Sequence, residues 1–189
     1  MLKVGIIVGS TRPGRKALAV AEWVQGIASL RGDATYEVVD IETFRLPLLD
    51  EPVPPSLGRY TKEHTKTWAA KIASFDAFIF VTPEYNHSTS AALKNAIDFL
   101  FAEWANKSAG FVAYGSSLGA RAVEHLRGIA AEVQMADVRT AVGLSLFEDF
   151  ENFTVFKPRD RHKKTLSEML DQLVGWAGAL RSYRQGKSA

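Results

Sequence analysis

Cysteine is absent from all 189 residues. That excludes disulfides, thiolate catalysis and cysteine-ligated metals together, and it fits a cytoplasmic protein, the location expected here. No apolar run approaches the roughly 18 residues that would span a bilayer. The first residues also lack the basic, apolar, small-residue order of a signal peptide. Charge of either sign is not in excess: 23 Lys and Arg face 21 Asp and Glu, a net +2. Neither nucleic acid nor a membrane surface is therefore an expected partner. Histidines and carboxylates nowhere fall at metal-ligand spacing, so no metal is expected. What remains is an ordinary globular composition, 47% hydrophobic and 23% charged, at a length that suits one domain.

Short apolar runs alternate with amphipathic stretches along the chain. The runs at Val4–Val8, Thr35–Ile41, Ala77–Val81, Gly110–Tyr114 and Val138–Leu146 read as strands. Helical spacing predicts helices over Ala17–Leu30, Thr61–Ala73, Thr89–Trp104, Gly119–Val133 and Asp160–Tyr183. Five such βα units predict an α/β fold with a parallel sheet covered on both faces. One domain is expected over residues 1–183, with a frayed polar tail at 184–189. Two connections are long for such a fold. Residues 42–60 hold Pro47, Pro52, Pro54 and Pro55, and residues 147–158 hold four phenylalanines among acidic residues. Both read as lids or contact loops, the first extended and stiff, and the phenylalanines of the second alternatively as closing the core's end.

The first strand runs into Gly9-Ser10-Thr11-Arg12-Pro13-Gly14-Arg15-Lys16 and then into a helix. A helix N-terminus carries unpaired N–H groups and the positive end of its dipole, so it suits an anion. Three cations there oppose the dipole unless an anion is present. The loop nevertheless fails both common nucleotide patterns. Arg15 and Lys16 stand where a nucleotide-binding loop needs lysine and a hydroxyl, and Thr11 stands at an obligatory dinucleotide glycine. Two later strand ends are also specialised: Thr82-Pro83-Glu84-Tyr85-Asn86-His87-Ser88 and Gly115-Ser116-Ser117-Leu118-Gly119. Ligands of parallel sheets sit beyond the carboxyl ends of the strands, so the three loops read as one composite pocket. The last loop also matches G-x-S-x-G, and Asp149 or Asp160 with His162 would complete a serine hydrolase order around Ser117. Against that reading, no oxyanion loop precedes it and the basic first loop would be left without a role.

The first loop, together with Pro83-Glu84-Tyr85-Asn86 and Leu93-Lys94-Asn95-Ala96-Ile97-Asp98, resembles the NADPH-dependent FMN reductase family. The resemblance implies a flavodoxin-like three-layer sandwich with a five-stranded parallel sheet of order 2-1-3-4-5. It implies FMN as cofactor and NADPH, or NADH, as reductant. The acceptor would be a small molecule: a quinone, azo compound, free flavin or metal oxyanion. A homodimer or homotetramer is implied too. By the same resemblance the phosphate falls to Ser10, Arg12, Gly14, Arg15 and Lys16. The ring is bordered by Pro83, Glu84, Tyr85 and Asn86 on one side and by Gly115, Ser116 and Ser117 on the other. Many relatives carry a serine near the position of Arg15. Main-chain N–H groups around Glu84–Asn86 and Gly115–Ser116 are expected to face the ring's polar edge. Hydride transfer needs no protein acid or base, so no catalytic side chain is expected. A non-enzymatic electron carrier is the alternative on this fold, although such carriers are strongly acidic and this chain is not.

Overall fold

The computed structural model describes residues 1–186. Five strands, β1 (Leu2–Val8), β2 (Ala34–Asp40), β3 (Ala77–Pro83), β4 (Ser108–Gly115) and β5 (Ala136–Ser145), form a parallel sheet of order β2-β1-β3-β4-β5. This is the flavodoxin-like order that the resemblance implies. β3 and β4 are buried along their whole length, as strands covered on both faces must be. α1 (Ala17–Ala28) and α5 (Asp160–Gly186) cover one face, and α2 (Glu63–Ala73), α3 (Ala91–Asp98) and α4 (Ala120–Glu132) cover the other. Strand order reverses between β1 and β3, which places the ligand crevice beyond their carboxyl ends.

Two differences from the expected helices have identifiable causes. α3 is shorter than Thr89–Trp104. The hydroxyl of Ser90 accepts from the N–H of Leu93 and caps it, and Thr89 is drawn off by a 2.7 Å hydroxyl contact with Thr82. α2 begins at Glu63 because the Glu51 carboxylate, from the proline-rich connection, accepts the N–H groups of Thr61 and Lys62 at 2.9–3.0 Å. Burial pushes that carboxyl up, yet these N–H donors bring its pKa down to about 2. Asn95 of α3 holds the same connection at both hands, donating to the Pro47 carbonyl and accepting from the Leu49 N–H. The proline-rich segment is thus an anchored strap.

The second long connection contains a small antiparallel hairpin, β6 (Phe150–Glu151) and β7 (Val155–Phe156), where a loop was expected. α5 runs on to Gly186, three residues past the expected end of the domain. Arg184 is held there by the Asn106 carbonyl and Asp76, both at 2.6 Å. The rest of the expected tail, residues 187–189, lies outside the described residues.

Candidate active site

The loop after β1 starts at a glycine that nothing else could replace. A Cβ on Gly9 would lie 2.7 Å from the Val81 carbonyl oxygen and 2.8 Å from Leu93. The Gly9 N–H bonds that carbonyl at 2.8 Å, so the loop leaves the sheet fastened to β3. It then turns at Arg12-Pro13-Gly14-Arg15, where the Arg15 N–H donates to the Arg12 carbonyl (2.9 Å) and Gly14 has φ +71°. Proline followed by a left-handed glycine is the signature of a type II turn. α1 follows with Lys16 at its cap, no side-chain cap and no acidic residue in its first turn. Its first N–H groups therefore remain available.

Those groups border a cavity of about 240 Å³ whose walls include Arg12, Gly14, Lys16, Tyr85, Tyr114 and Phe153. The Tyr114 hydroxyl is buried at its floor with no hydrogen-bond partner among the described residues. Burial raises its pKa against the influence of the Lys16 and Ala17 N–H groups, so it is a neutral donor at ordinary pH. A buried donor of this kind wants an acceptor. Neither Arg12 nor Lys16 has an ion-pair partner among the described residues. Unpaired cations, free helix-terminal N–H groups and an orphan hydroxyl around one cavity fit a phosphate.

Arg15 is different. Its guanidinium is paired with Asp40 and Glu42 at the end of β2, and its side chain is only 13% exposed. It lines the same cavity, with its two terminal nitrogens met by those carboxylates and its buried Nε without a partner among the described residues. Ser10 is fully buried, 3.2 Å from the Tyr85 hydroxyl, and the Arg12 guanidinium lies 5.9 Å from the Tyr85 ring centre. The phosphate-type loop and the second loop therefore meet through Tyr85.

In the second loop Tyr85 and Ser88 exchange N–H···O bonds of 2.9 and 3.1 Å around Asn86 (φ 48°) and His87 (φ 74°). Two left-handed residues between paired neighbours make a type I′ turn, and asparagine tolerates that conformation. This corrects the expectation for the main chain. The Glu84 N–H goes to the Tyr114 carbonyl (2.9 Å) and the Tyr85 N–H to Ser88, which leaves Asn86 as the open donor of the three. The Glu84 side chain is 4% exposed and paired with Arg121, and Glu84 lines a second cavity with Arg12, Tyr85 and Asn86.

The third loop packs tightly. A Cβ on Gly119 (φ +71°) would come within 2.5 Å of the Ala113 side chain. Gly115 accepts from Leu118 at 3.2 Å, while Ser116 and Ser117 are exposed with their N–H groups unbonded among the described residues. These two donors remain for a ligand's polar edge. The residue that joins the second and third loops is Arg121, which sequence reasoning did not single out. It donates to Glu84 (2.6 Å from Nε), to Ser117 Oγ (3.1 Å) and to His87 Nδ1 (3.2 Å), and its own N–H meets Glu84 at 3.1 Å. Burial raises the Glu84 pKa, but these bonds and the N–H of Ala122 together hold it below the ordinary value. A signal for Arg121 was present: it is a cation in the first turn of a helix, the same conflict that marked the first loop.

The serine hydrolase arrangement does not form. Ser117 bonds Arg121, whereas His162 bonds Asp149 (2.9 Å), a buried carboxylate that also holds Arg159 and the Ser145 N–H. No cluster of three metal-ligating side chains occurs among the described residues.

The sheet order, the phosphate-fitted turn after β1 and the two N–H-bearing loops after β3 and β4 define a flavodoxin-like α/β protein with a mononucleotide crevice. The sequence model of the NADPH-dependent FMN reductase family matches residues 2–149, and the chain belongs to that family. It is 37% identical to an NAD(P)H-dependent FMN reductase of Schizosaccharomyces pombe, over 88% of this chain and 84% of that one. A 2-hydroxy-1,4-benzoquinone reductase of a Burkholderia species is 31% identical over 69% and 70% of the two chains. FerB, a flavoenzyme NAD(P)H:(acceptor) oxidoreductase from Paracoccus denitrificans, shares the fold with a TM-score of 0.73 at 23% identity, covering 95% of this chain and 98% of that one. Membership makes the protein an FMN-dependent NAD(P)H oxidoreductase acting on a small acceptor.

Proposed function

We propose that the cavity after β1 holds the FMN phosphate and that the ring lies between the Pro83–Asn86 and Gly115–Ser117 loops, where hydride from NADPH or NADH is passed to a quinone. When bound, FMN supplies a ring that takes up a hydride and releases two electrons to an acceptor. Arg12 and Lys16 neutralise the phosphate dianion, and Ser10 with Gly14 shapes the turn that presents the N–H groups. The open N–H groups of Ser116, Ser117 and Asn86 donate to the polar edge of the ring, which gathers charge on reduction. Arg121 keeps the two ring loops at a fixed separation through Glu84 and Ser117. No side chain of the crevice is needed to move a proton for the hydride step.

The single observation that carries this reading is the unpartnered Tyr114 hydroxyl beside two unpaired cations and the start of α1. Quinone is favoured among acceptors because the Burkholderia relative is named a benzoquinone reductase and a flat acceptor stacks well on a flat ring. A homodimer in the cytoplasm completes the proposal. The subunits would meet along the open groove between α3 and α4, lined by Ala91, Lys94, His125, Ile129 and Glu132. Anaerobic titration of the FMN-loaded protein with NADPH and NADH, followed by a benzoquinone, tests the reaction. Bleaching of the flavin by either nicotinamide and its return on adding quinone are the expected result. Failure to bind FMN in calorimetry would remove the reading, and a monomer in gel filtration would remove the dimer.

A further inference from the structure

The β6–β7 hairpin leans over the phosphate cavity, and its tip is Phe153. The hairpin is firmly rooted. Asp149 at its base is fully buried and holds Arg159, His162 and the Ser145 N–H, while Phe150 packs on Tyr114 and Phe156 packs edge-on against Trp23. Phe153 itself gains little from the fold. It is 57% exposed, and its one ring contact among the described residues is with Phe147, which is 65% exposed. It also sits at φ 56°, a backbone conformation that costs a bulky residue free energy and that asparagine or glycine would adopt more readily. Packing and turn chemistry both argue against phenylalanine here. What it does is line the cavity together with Arg12, Pro13 and Gly14. Strain retained at such a place points to function.

Resting on the flavin reading above, we propose that Phe153 and the Tyr114 hydroxyl select a terminal phosphate monoester, so that the site takes FMN and rejects FAD. A terminal phosphate offers three free oxygens and close to two charges. In a dinucleotide one of those oxygens becomes a bridge, that phosphate keeps a single charge, and the chain must continue outward. The cavity has donors on several sides: the Tyr114 hydroxyl, the α1 N–H groups, Arg12 and Lys16. At about 240 Å³ it is smaller than the usual site for a drug-sized ligand, and Phe153 is one of its walls. A site built to meet a given oxygen rejects the analogue that cannot supply it, because its buried donors are then left unpaired.

Calorimetry with FMN, FAD and riboflavin on the wild type, Phe153→Asn and Tyr114→Phe tests this, with thermal melts as the folding control. The asparagine variant removes the wall while suiting the local φ, so it is expected to melt no lower than the wild type. The wild type should prefer FMN over FAD by roughly a hundredfold, and Phe153→Asn should cut that ratio about tenfold by tightening FAD. Tyr114→Phe should weaken FMN roughly tenfold and leave riboflavin unchanged. An FMN-to-FAD ratio in Phe153→Asn within about threefold of the wild type overturns the inference alone, as does wild-type FAD binding about as tight as FMN. A wild type that binds no FMN overturns the flavin reading and this inference with it.

Discussion

Arg12 and Arg15 stand three positions apart in one loop and look equivalent in the sequence, yet the fold gives them different surroundings. Arg12 is exposed at the cavity mouth beside Tyr85, while Arg15 is turned onto Asp40 and Glu42, 25 and 27 residues further along the chain. The local rule that cations oppose a helix N-terminus flags both residues and cannot tell which will meet a carboxylate first. Arg12→Ala should weaken FMN binding roughly tenfold or more while leaving the melting temperature nearly unchanged. Arg15→Ala should do the reverse. It leaves two carboxylates facing each other without their cation, at a cost of about 1–2 kcal/mol, and weakens FMN less than Arg12→Ala does. Parallel calorimetry and thermal melts of the two variants check the split; equal losses of affinity would show that Arg15 turns to the phosphate when it is present.

Single elements owe their ends to residues supplied from elsewhere. α4 starts at Gly119 with no side-chain cap of its own, and Glu84 reaches over from the loop after β3 to accept the Arg121 N–H. Glu51 does the same for α2, and Ser90 caps α3 locally. The hairpin after β5 depends in the same way on Asp149. Burial works to raise the Asp149 pKa, but the Ser145 N–H, Arg159 and His162 hold it below the ordinary carboxylate value of 3.8. A depressed carboxylate contributes stability that is present above its unfolded pKa and is lost as pH falls through the folded one. The wild type's stability should therefore fall as the pH drops below the ordinary carboxylate value and through the lower range where folded Asp149 takes up its proton. Asp149→Asn should lose about 2–3 kcal/mol at neutral pH and show a flatter acid limb, read from denaturant melts at successive pH values. Strands were legible from apolar runs because three central ones are buried on both faces. The hairpin was not, because two-residue strands carry no period, and its turn uses Asn152 and Phe153 where glycine would have signalled it.

At the scale of the molecule the two ends of the sheet divide binding from stability. The carboxyl end carries the three loops of the crevice. At the opposite end Asp76 receives the Lys3 N–H and Arg184, and the buried Lys107 ammonium donates to the carbonyls of Ile72 and Ala73 that close α2. Burial, with the charge of Arg184, lowers the Lys107 pKa to about 8 from the ordinary 10.5. Between those values the unfolded chain binds the proton more readily than the folded one does. By linkage, this group makes stability rise as pH climbs from about 8 to 10.5. Lys107→Met should remove that rise in denaturant melts while FMN affinity stays at the wild-type level, since the residue lies at the far end of β4 from the crevice. A matching rise in the variant would assign it to other groups.

The order of apolar runs and helical faces was enough to determine a parallel α/β sheet, and the basic turn after β1 to mark one strand end as a candidate anion site. Those properties follow from local periodicity and from charge placed against a helix dipole, both of which a linear chain displays. The partners of each charge were decided only by the tertiary structure. Arg15 with Asp40, Glu84 with Arg121, and Phe153 in one cavity wall with Tyr114 all join residues distant in the chain, and only the packing of the sheet's loops brings them together.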